Sequence, residues 1–342
     1  MQPIRVLVVE DSLMFQQLLV KNLNKNSSIE VICTARDPYE ARDAIVKYKP
    51  DVMTLDLELP RMGGIEFLRK LLPQYSIPVV VISSLSDKVF DALSAGAVDF
   101  VAKPTMASRQ EIEDFIQNEL PIKIKIASVA HVTRNKNHPF PFSEASPAIV
   151  RKDLVIAIGA STGGTEAIST LIREFKPDIP GIVVVQHMPE GFTSMYAQRL
   201  DRQCEVTVNE AKTGDIVLPG QVLIAPGGDY HMELVKMNGN YQVMLKRGPK
   251  VNGHCPSVDV LFHSVANVAG SKAIGIILTG MGNDGAKGLL AMKKAGAKTI
   301  GQDESTCVVY GMPKVAYELG ATDYQEKLSD IVKKTYLLLN HT

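Results

Sequence analysis

A serine in a glycine-rich turn is the residue of this chain best placed for covalent chemistry. The stretch LVIAIGASTGGTEAI (154–168) runs from an apolar strand pattern through Gly159-Ala160-Ser161-Thr162-Gly163 into a helical pattern. In such a G-x-S-x-G turn, small neighbours let the hydroxyl project from a sharp strand-to-helix bend. The helix N-terminus that follows favours developing negative charge. Turns of this kind also cradle phosphates, although no lysine follows as in a P-loop, so the motif alone leaves a hydrolase and a nucleotide site both open. A serine nucleophile needs a base, and an acid that orients the base. Of seven histidines, His131 and His138 fall in a proline-containing stretch and His341 at the chain end. His231 opens a hairpin pattern, His254 sits in a loop and His263 on an amphipathic helix. His187 directly follows the strand pattern GIVVVQ (181–186) and would stand beside Ser161 if the two strands are neighbours. Asp284 follows a third strand pattern, AIGIILT (273–279), inside GMGNDGAKG (280–288). It serves as the orienting acid or as a helix N-cap, with Asp229 and Asp259 as weaker rivals. The glycine-rich backbone around Met281 could supply an oxyanion N–H. The order Ser, His, Asp differs from the Ser, Asp, His order of the α/β-hydrolases.

A second constellation lies in the first hundred residues. Strand patterns there end in Glu10-Asp11, in Asp56, in Ser83-Ser84 and in Lys103. In an open parallel sheet, ligand chemistry collects at these carboxyl ends. Three converging carboxylates repel one another unless a cation or a proton intervenes. A hard, oxygen-ligated ion such as Mg2+ suits Glu10, Asp11 and Asp56. Asp56 could then attack a phosphoryl donor, Lys103 pair with the aspartyl phosphate, and the Ser83 hydroxyl bond a phosphate oxygen. Taken singly, Glu10 or Asp11 reads better as a solvated loop residue or a helix cap; the set of five positions on the strand ends favours the pocket.

The elements that must position these residues are legible as alternation. In the first part, IRVLVV (4–9), VICTA (31–35), DVMTLD (51–56), PVVVIS (78–83) and DFVAK (99–103) are apolar runs suited to strands buried on both faces. FQQLLVKNL (15–23) and YEARDAIVKY (39–48) have helical spacing. A last helix is expected from about Arg109 to near Ala127. A second alternation begins at Leu154, with strands at 154–159, 181–186, 221–226 and 273–279, and helices at 164–175, 258–268 and 285–295. A hairpin is expected across 231–247, with Asn238-Gly239-Asn240 as its turn. The fold class is therefore α/β, as two doubly wound domains. One is a five-stranded, flavodoxin-like domain at 1–127. The other, at 151–342, is a mainly parallel hydrolytic domain with a β-hairpin. Residues 131–147, with three prolines and little periodicity, read as a linker, placed at 128–150.

Composition excludes several classes. The 342 residues are 45% apolar and carry no net charge, and no basic block stands out, which argues against nucleic acid as the main partner. Residues 151–342 hold 20 Lys+Arg and 19 Asp+Glu with several strands, unlike a short basic helical output domain. Apolar runs are too short to cross a bilayer, and the start lacks a cationic, cleavable leader. A cytoplasmic protein without membrane insertion is expected. Cys33, Cys204, Cys255 and Cys307 are scattered without a CxxC pair and read as reduced thiols.

VVEDS (8–12), DVMTLDLELPRMGG (51–64), VVVISS (79–84) and FVAKP (100–104) resemble the receiver domains of bacterial two-component response regulators. The resemblance implies Asp56 as the phosphorylation site and a histidine kinase as donor. The segment between Ser83 and Gly96 looks a few residues shorter than in most receivers. AIGASTGGTEA (157–167), VVVQHMPEGFT (183–193), APGGDYHMEL (225–234), PSVDVLFHSVA (256–266) and ILTGMGNDGAKG (277–288) resemble the CheB type of chemotaxis protein-glutamate methylesterase. That resemblance implies Ser161 as nucleophile, His187 as base and Asp284 as the residue orienting it. It further implies that Thr162 helps hold the histidine and that the Met281 backbone contributes to the oxyanion hole. The implied substrates are methylated glutamates on the cytoplasmic helices of chemoreceptors, with deamidation of receptor glutamines as a second activity. It also implies an unphosphorylated receiver that blocks the active site, and no cofactor for the hydrolase.

Overall fold

The computed structural model describes residues 2–84, 86–104, 112, 113, 115–131 and 153–340. The chain divides into two compact units, Met1–Asn137 and His138–Thr342. The first contains β1 (Ile4–Val9), α1 (Leu13–Leu23), β2 (Ile29–Ala35), α2 (Pro38–Tyr48), β3 (Val52–Asp56), α3 (Gly64–Leu71), β4 (Val79–Ser83), α4 (Lys88–Ser94) and β5 (Asp99–Ala102). A π-helical turn at Phe115–Glu119 then leads into α5 (Leu120–Ser128). The helix starts follow local chemistry. Asp37 caps α2 by accepting from the N–H groups of Tyr39 (2.8 Å) and Glu40 (3.0 Å), with Pro38 preset in the first turn. The five strands pair in parallel in the order β2-β1-β3-β4-β5, the flavodoxin-like winding. β3 and β4 are buried along their whole length, as their unbroken apolar runs require. The helix after β4 spans only seven residues.

The second unit begins its regular structure with β6 (Val155–Ala160), α6 (Gly164–Glu174), β7 (Gly181–Gln186), α7 (Phe192–Asp201), β8 (Thr207–Glu210) and β9 (Gln221–Ile224). The hairpin β10 (Tyr230–Met237) and β11 (Asn240–Arg247) follows, then α8 (Val258–Val268), β12 (Ala273–Ile277) and α9 (Ala286–Lys294). β13 (Lys298–Gln302), α10 (Met312–Glu318), β14 (Tyr324–Glu326) and α11 (Leu328–Asn340) complete it. Seven strands form one sheet in the order β14-β13-β12-β6-β7-β9-β8, every neighbouring pair parallel. β6 lies between β7 and β12. The chain leaves β6 toward one side of the sheet and later returns on the other, so the carboxyl end of β6 is a topological switch point, where ligands collect.

Two sequence expectations shift. Asn240 is not part of the hairpin turn but pairs with Met237, leaving a two-residue turn, Asn238-Gly239, with both φ positive (50° and 81°). That geometry matches the right-handed twist of the strands better than a longer turn would. The last helix of the first unit is a π turn joined to a shorter α-helix, because Pro121 falls within the first turn of α5. Residues 109–111 and 114 of the expected helix, and 132–150 of the expected linker, lie outside the described residues.

The first residue of α8 packs directly on β6. A Cβ built on Gly159 would collide with Val258 Cγ1. Gly159→Ala should therefore lower stability by about 1–3 kcal/mol, the usual range for overpacking a filled site, read from the urea midpoint at unchanged slope.

Candidate functional site

The switch point gathers the expected triad from three adjacent strand ends. Ser161 follows β6, His187 follows β7, and Asp284 lies in the loop between β12 and α9. Ser161 is 7% exposed, and its N–H donates to the Thr279 carbonyl (3.0 Å) on the neighbouring strand end. The bend after it needs Gly163, whose φ of 77° is left-handed. The last ladder bond between the two neighbouring strands runs from His187 N–H to the Ala160 carbonyl (3.2 Å). His187 Nε2 bonds Asp284 Oδ2 at 2.8 Å. Its Nδ1 is buried and has no hydrogen-bond partner among the described residues. One face of the imidazole is covered by His254, stacked at 3.7 Å between centroids and 8° between planes.

Asp284 is the most heavily supported group in the site. It is 1% exposed. Oδ1 accepts from Ser257 Oγ (2.7 Å), Asn252 Nδ2 (2.9 Å) and Asp259 N–H (3.2 Å). Oδ2 accepts from Val258 N–H (2.7 Å) as well as from His187. The carboxylate thus sits on the N-terminus of α8, where unpaired N–H groups and the helix dipole favour negative charge. Burial works against that charge. The hydrogen bond and charge of His187, with the bonds from Asn252 and Ser257, more than reverse it and hold Asp284 well below the usual carboxylate range. Asp284 does not cap the helix that follows it, since Gly285 holds that position. Asp259, a rival for the acid, is instead occupied with Gly288 N–H (2.6 Å) and Asn252 Nδ2 (2.7 Å).

Of the supporting residues, Thr162 is buried, and its carbonyl accepts from Thr279 Oγ1 (3.0 Å). Met281 is exposed at the rim. Sequence reasoning missed Asn252, Ser257 and Gln186, whose side chains bond Asp284 or the backbone of Ser161 and His187. Ser257 alone carried a readable signal, a serine directly before a helical run.

In the first unit, Glu10, Asp11 and Asp56 offer carboxylate oxygens that lie within 4.8 Å of one another. Lys103 Nζ bonds Asp56 Oδ2 (2.8 Å) and Glu10 Oε2 (3.0 Å). Burial, with the nearby charge of Asp56, pushes Glu10 up to about 7. Burial also opposes the Lys103 charge, but its bonds to Asp56 and Glu10 prevail and raise it. Ser83 is buried at the end of β4, its carbonyl accepting from Lys103 N–H (2.6 Å). An all-oxygen set of three crowded carboxylates suits a hard divalent cation.

The family model described as CheB methylesterase matches residues 156–335, the span that holds Ser161, His187 and Asp284. The chain belongs to the CheB methylesterase family. A response regulator receiver domain matches residues 6–117, so the family's catalytic part is joined here to a receiver. The protein-glutamate methylesterase/protein-glutamine glutaminase 2 of Syntrophomonas wolfei is 58% identical, with 98% of each chain covered. The protein-glutamate methylesterase/protein-glutamine glutaminase of Salmonella typhimurium is 46% identical over 97% of this chain and 95% of its own. The crystal structure of the Thermotoga maritima CheB methylesterase catalytic domain matches with a TM-score of 0.53 at 44% identity, covering 54% of this chain and 98% of that one.

The depressed pKa of Asp284 has a direct consequence. Its stabilising charge is fully present above the unfolded value of about 3.9 and is lost as pH falls through the lower native value. Asp284→Asn would also turn an amide N–H₂ toward groups that already donate. The variant should be about 1–3 kcal/mol less stable than wild type at neutral pH. That gap should narrow below about pH 4, measured by urea unfolding across the pH range.

Proposed function

We propose that this chain is a phosphorylation-activated serine hydrolase that removes methyl groups from glutamate side chains of chemoreceptors and deamidates receptor glutamines. The observation that carries this reading is the buried His187–Asp284 bond at the end of the strand beside Ser161. The names and full-length similarity of the relatives support the substrate class.

In the proposed reaction Ser161 Oγ attacks the ester carbonyl while His187 takes its proton. Because Nε2 is committed to Asp284, the accepting nitrogen is Nδ1, the reverse of the commoner triad arrangement. The imidazolium that forms is stabilised by the Asp284 carboxylate. It returns the proton to the departing methoxide, and methanol leaves an acyl-enzyme at Ser161. His187 then takes a proton from water as the water attacks the acyl carbon, and gives it to Ser161 Oγ as the bond to serine breaks, releasing the glutamate side chain, which ionises to its carboxylate. With glutamine as substrate the leaving group is ammonia, and the remaining steps are the same. Backbone N–H groups near Met281 would meet the oxyanion, and Thr162 would help hold His187.

In the receiver, residues 1–127, an Asp56 carboxylate oxygen would attack the phosphorus of a histidine kinase phosphodonor as the phosphorus–nitrogen bond breaks. Glu10, Asp11 and Asp56 would hold Mg2+, which when bound offsets charge on the transferring oxygens. Lys103 would shift its pairing toward the new phosphate, and the Ser83 hydroxyl would bond one of its oxygens. Residues 128–150 would link this domain to the catalytic one at 151–342. No helix of the described residues is long and apolar enough to cross a membrane, and we place the reaction in the cytoplasm, at the receptors' cytoplasmic helices.

Methanol release from methylated receptor membranes, with and without a small phosphodonor and Mg2+, tests this. Wild type should be stimulated by the phosphodonor. Asp56→Asn should lose the stimulation and Ser161→Ala all release, while Ser161→Ala still accepts phosphate. Release by Ser161→Ala at the wild-type rate would end the serine mechanism, and absence of release from every receptor would end the methylesterase reading.

A further inference from the structure

The side-chain amide of Gln186 belongs to none of the chemical roles above, yet it touches both reacting residues. Gln186 is the last residue of β7 and is 3% exposed. Its Nε2 donates to the carbonyl of Ser161 (3.0 Å) and to the carbonyl of His187 (3.1 Å). Its Oε1 is buried and accepts no hydrogen bond among the described residues. A buried acceptor left unpaired is unfavourable, so the amide is held there for its two donors. Turning it over would aim Oε1 at two carbonyl oxygens, which fixes its orientation. The amide fits because residue 164 is glycine. A Cβ at Gly164 would run into Gln186 Oε1.

A peptide group is planar. Holding the Ser161 carbonyl therefore fixes the plane joining Ser161 to Thr162, and holding the His187 carbonyl fixes the plane joining His187 to Met188. The backbone ladder between the strands ends at the bond from His187 N–H to Ala160. Beyond that bond, among the described residues, the Gln186 amide ties the turn that carries the nucleophile to the turn that carries the base. We propose that Gln186 is a positioning residue which sets Ser161 Oγ against His187 by holding both turns through one amide nitrogen. The inference rests on the triad reading above.

The test uses the full chain with three readouts: the rate of covalent labelling of Ser161 by a fluorophosphonate, kcat and KM for methanol release, and the urea midpoint. Gln186→Met keeps length and volume but removes both donors. Its labelling rate and kcat should fall on the order of 10²-fold, as for a small misplacement of reacting groups, with KM changed less than about twofold. Gln186→Glu is nearly isosteric. As a carboxylate it faces two carbonyl oxygens, and protonated it recovers one donor, so its labelling rate relative to wild type should rise as pH falls from about 8 to about 6. A role limited to filling space would leave that ratio flat. A folded Gln186→Met with labelling and kcat near wild type, or a flat Gln186→Glu ratio, would overturn the proposal. If Gln186→Met does not fold, the Gln186→Glu ratio decides. Wild type that neither labels nor releases methanol would remove the triad reading itself, and the Gln186 proposal with it.

Discussion

One buried negative charge organises the catalytic unit. The Asp284 carboxylate, 1% exposed, is tolerable only because five donors converge on it: a ring nitrogen, a hydroxyl, an amide and two backbone N–H groups. A buried charge without such partners would be strongly destabilising. Meeting this requirement dictates much of the architecture. The N-terminus of α8 must reach the carboxyl end of the sheet, which the glycine at 159 permits by letting Val258 pack against β6. The loop from Val251 to Ser257 must fold back so that Asn252 and Ser257 face Asp284 while His254 covers the His187 ring. Buried His231 steadies that loop from beneath, with Nδ1 accepting from Ser257 N–H (3.1 Å) and Nε2 bonding the Pro249 carbonyl (2.9 Å).

The receiver pocket treats crowded carboxylates differently. Asp284 is satisfied by fixed protein donors, which lower its proton affinity. Glu10 and Asp56 share one side-chain cation, Lys103, and burial holds Glu10 at about 7. The fixed donors keep a buried charge in place, and that charge holds the His187 ring through Nε2. An under-neutralised cluster is the environment that a divalent ion would relieve. Both arrangements stand at the carboxyl ends of parallel strands, where side chains from several strands converge without interrupting the ladder.

Much of this was legible because buried parallel strands announce themselves as apolar runs, and their last residues can then be read as a set. β1, β3, β4, β5, β6, β7 and β12 match the apolar runs within a residue or two of their ends, and Glu10, Asp56, Lys103, Ser161, His187 and Asp284 lie at or beyond those ends. Less was legible where strands are short or partly polar. β13 (KTIGQ) and the three-residue β14 extend the sheet beyond β12 without any run that sequence reasoning would single out. The support around Asp284 was hidden for a different reason. Asn252 reaches it from a left-handed backbone (φ 51°) in a loop whose course no local periodicity encodes. Gln186 looked like one more strand residue until both of its donors were seen to leave the strand.

The central claim is that Asp284 holds His187 through Nε2 and so leaves Nδ1 as the nitrogen that takes the serine proton. Nitrogen-15 NMR of the labelled His187 imidazole at a pH where it is neutral measures this most directly. The account predicts a proton on Nε2 and a bare, pyridine-type Nδ1, with the preference weakened in Asp284→Asn. A proton on Nδ1 with a bare Nε2 would contradict it.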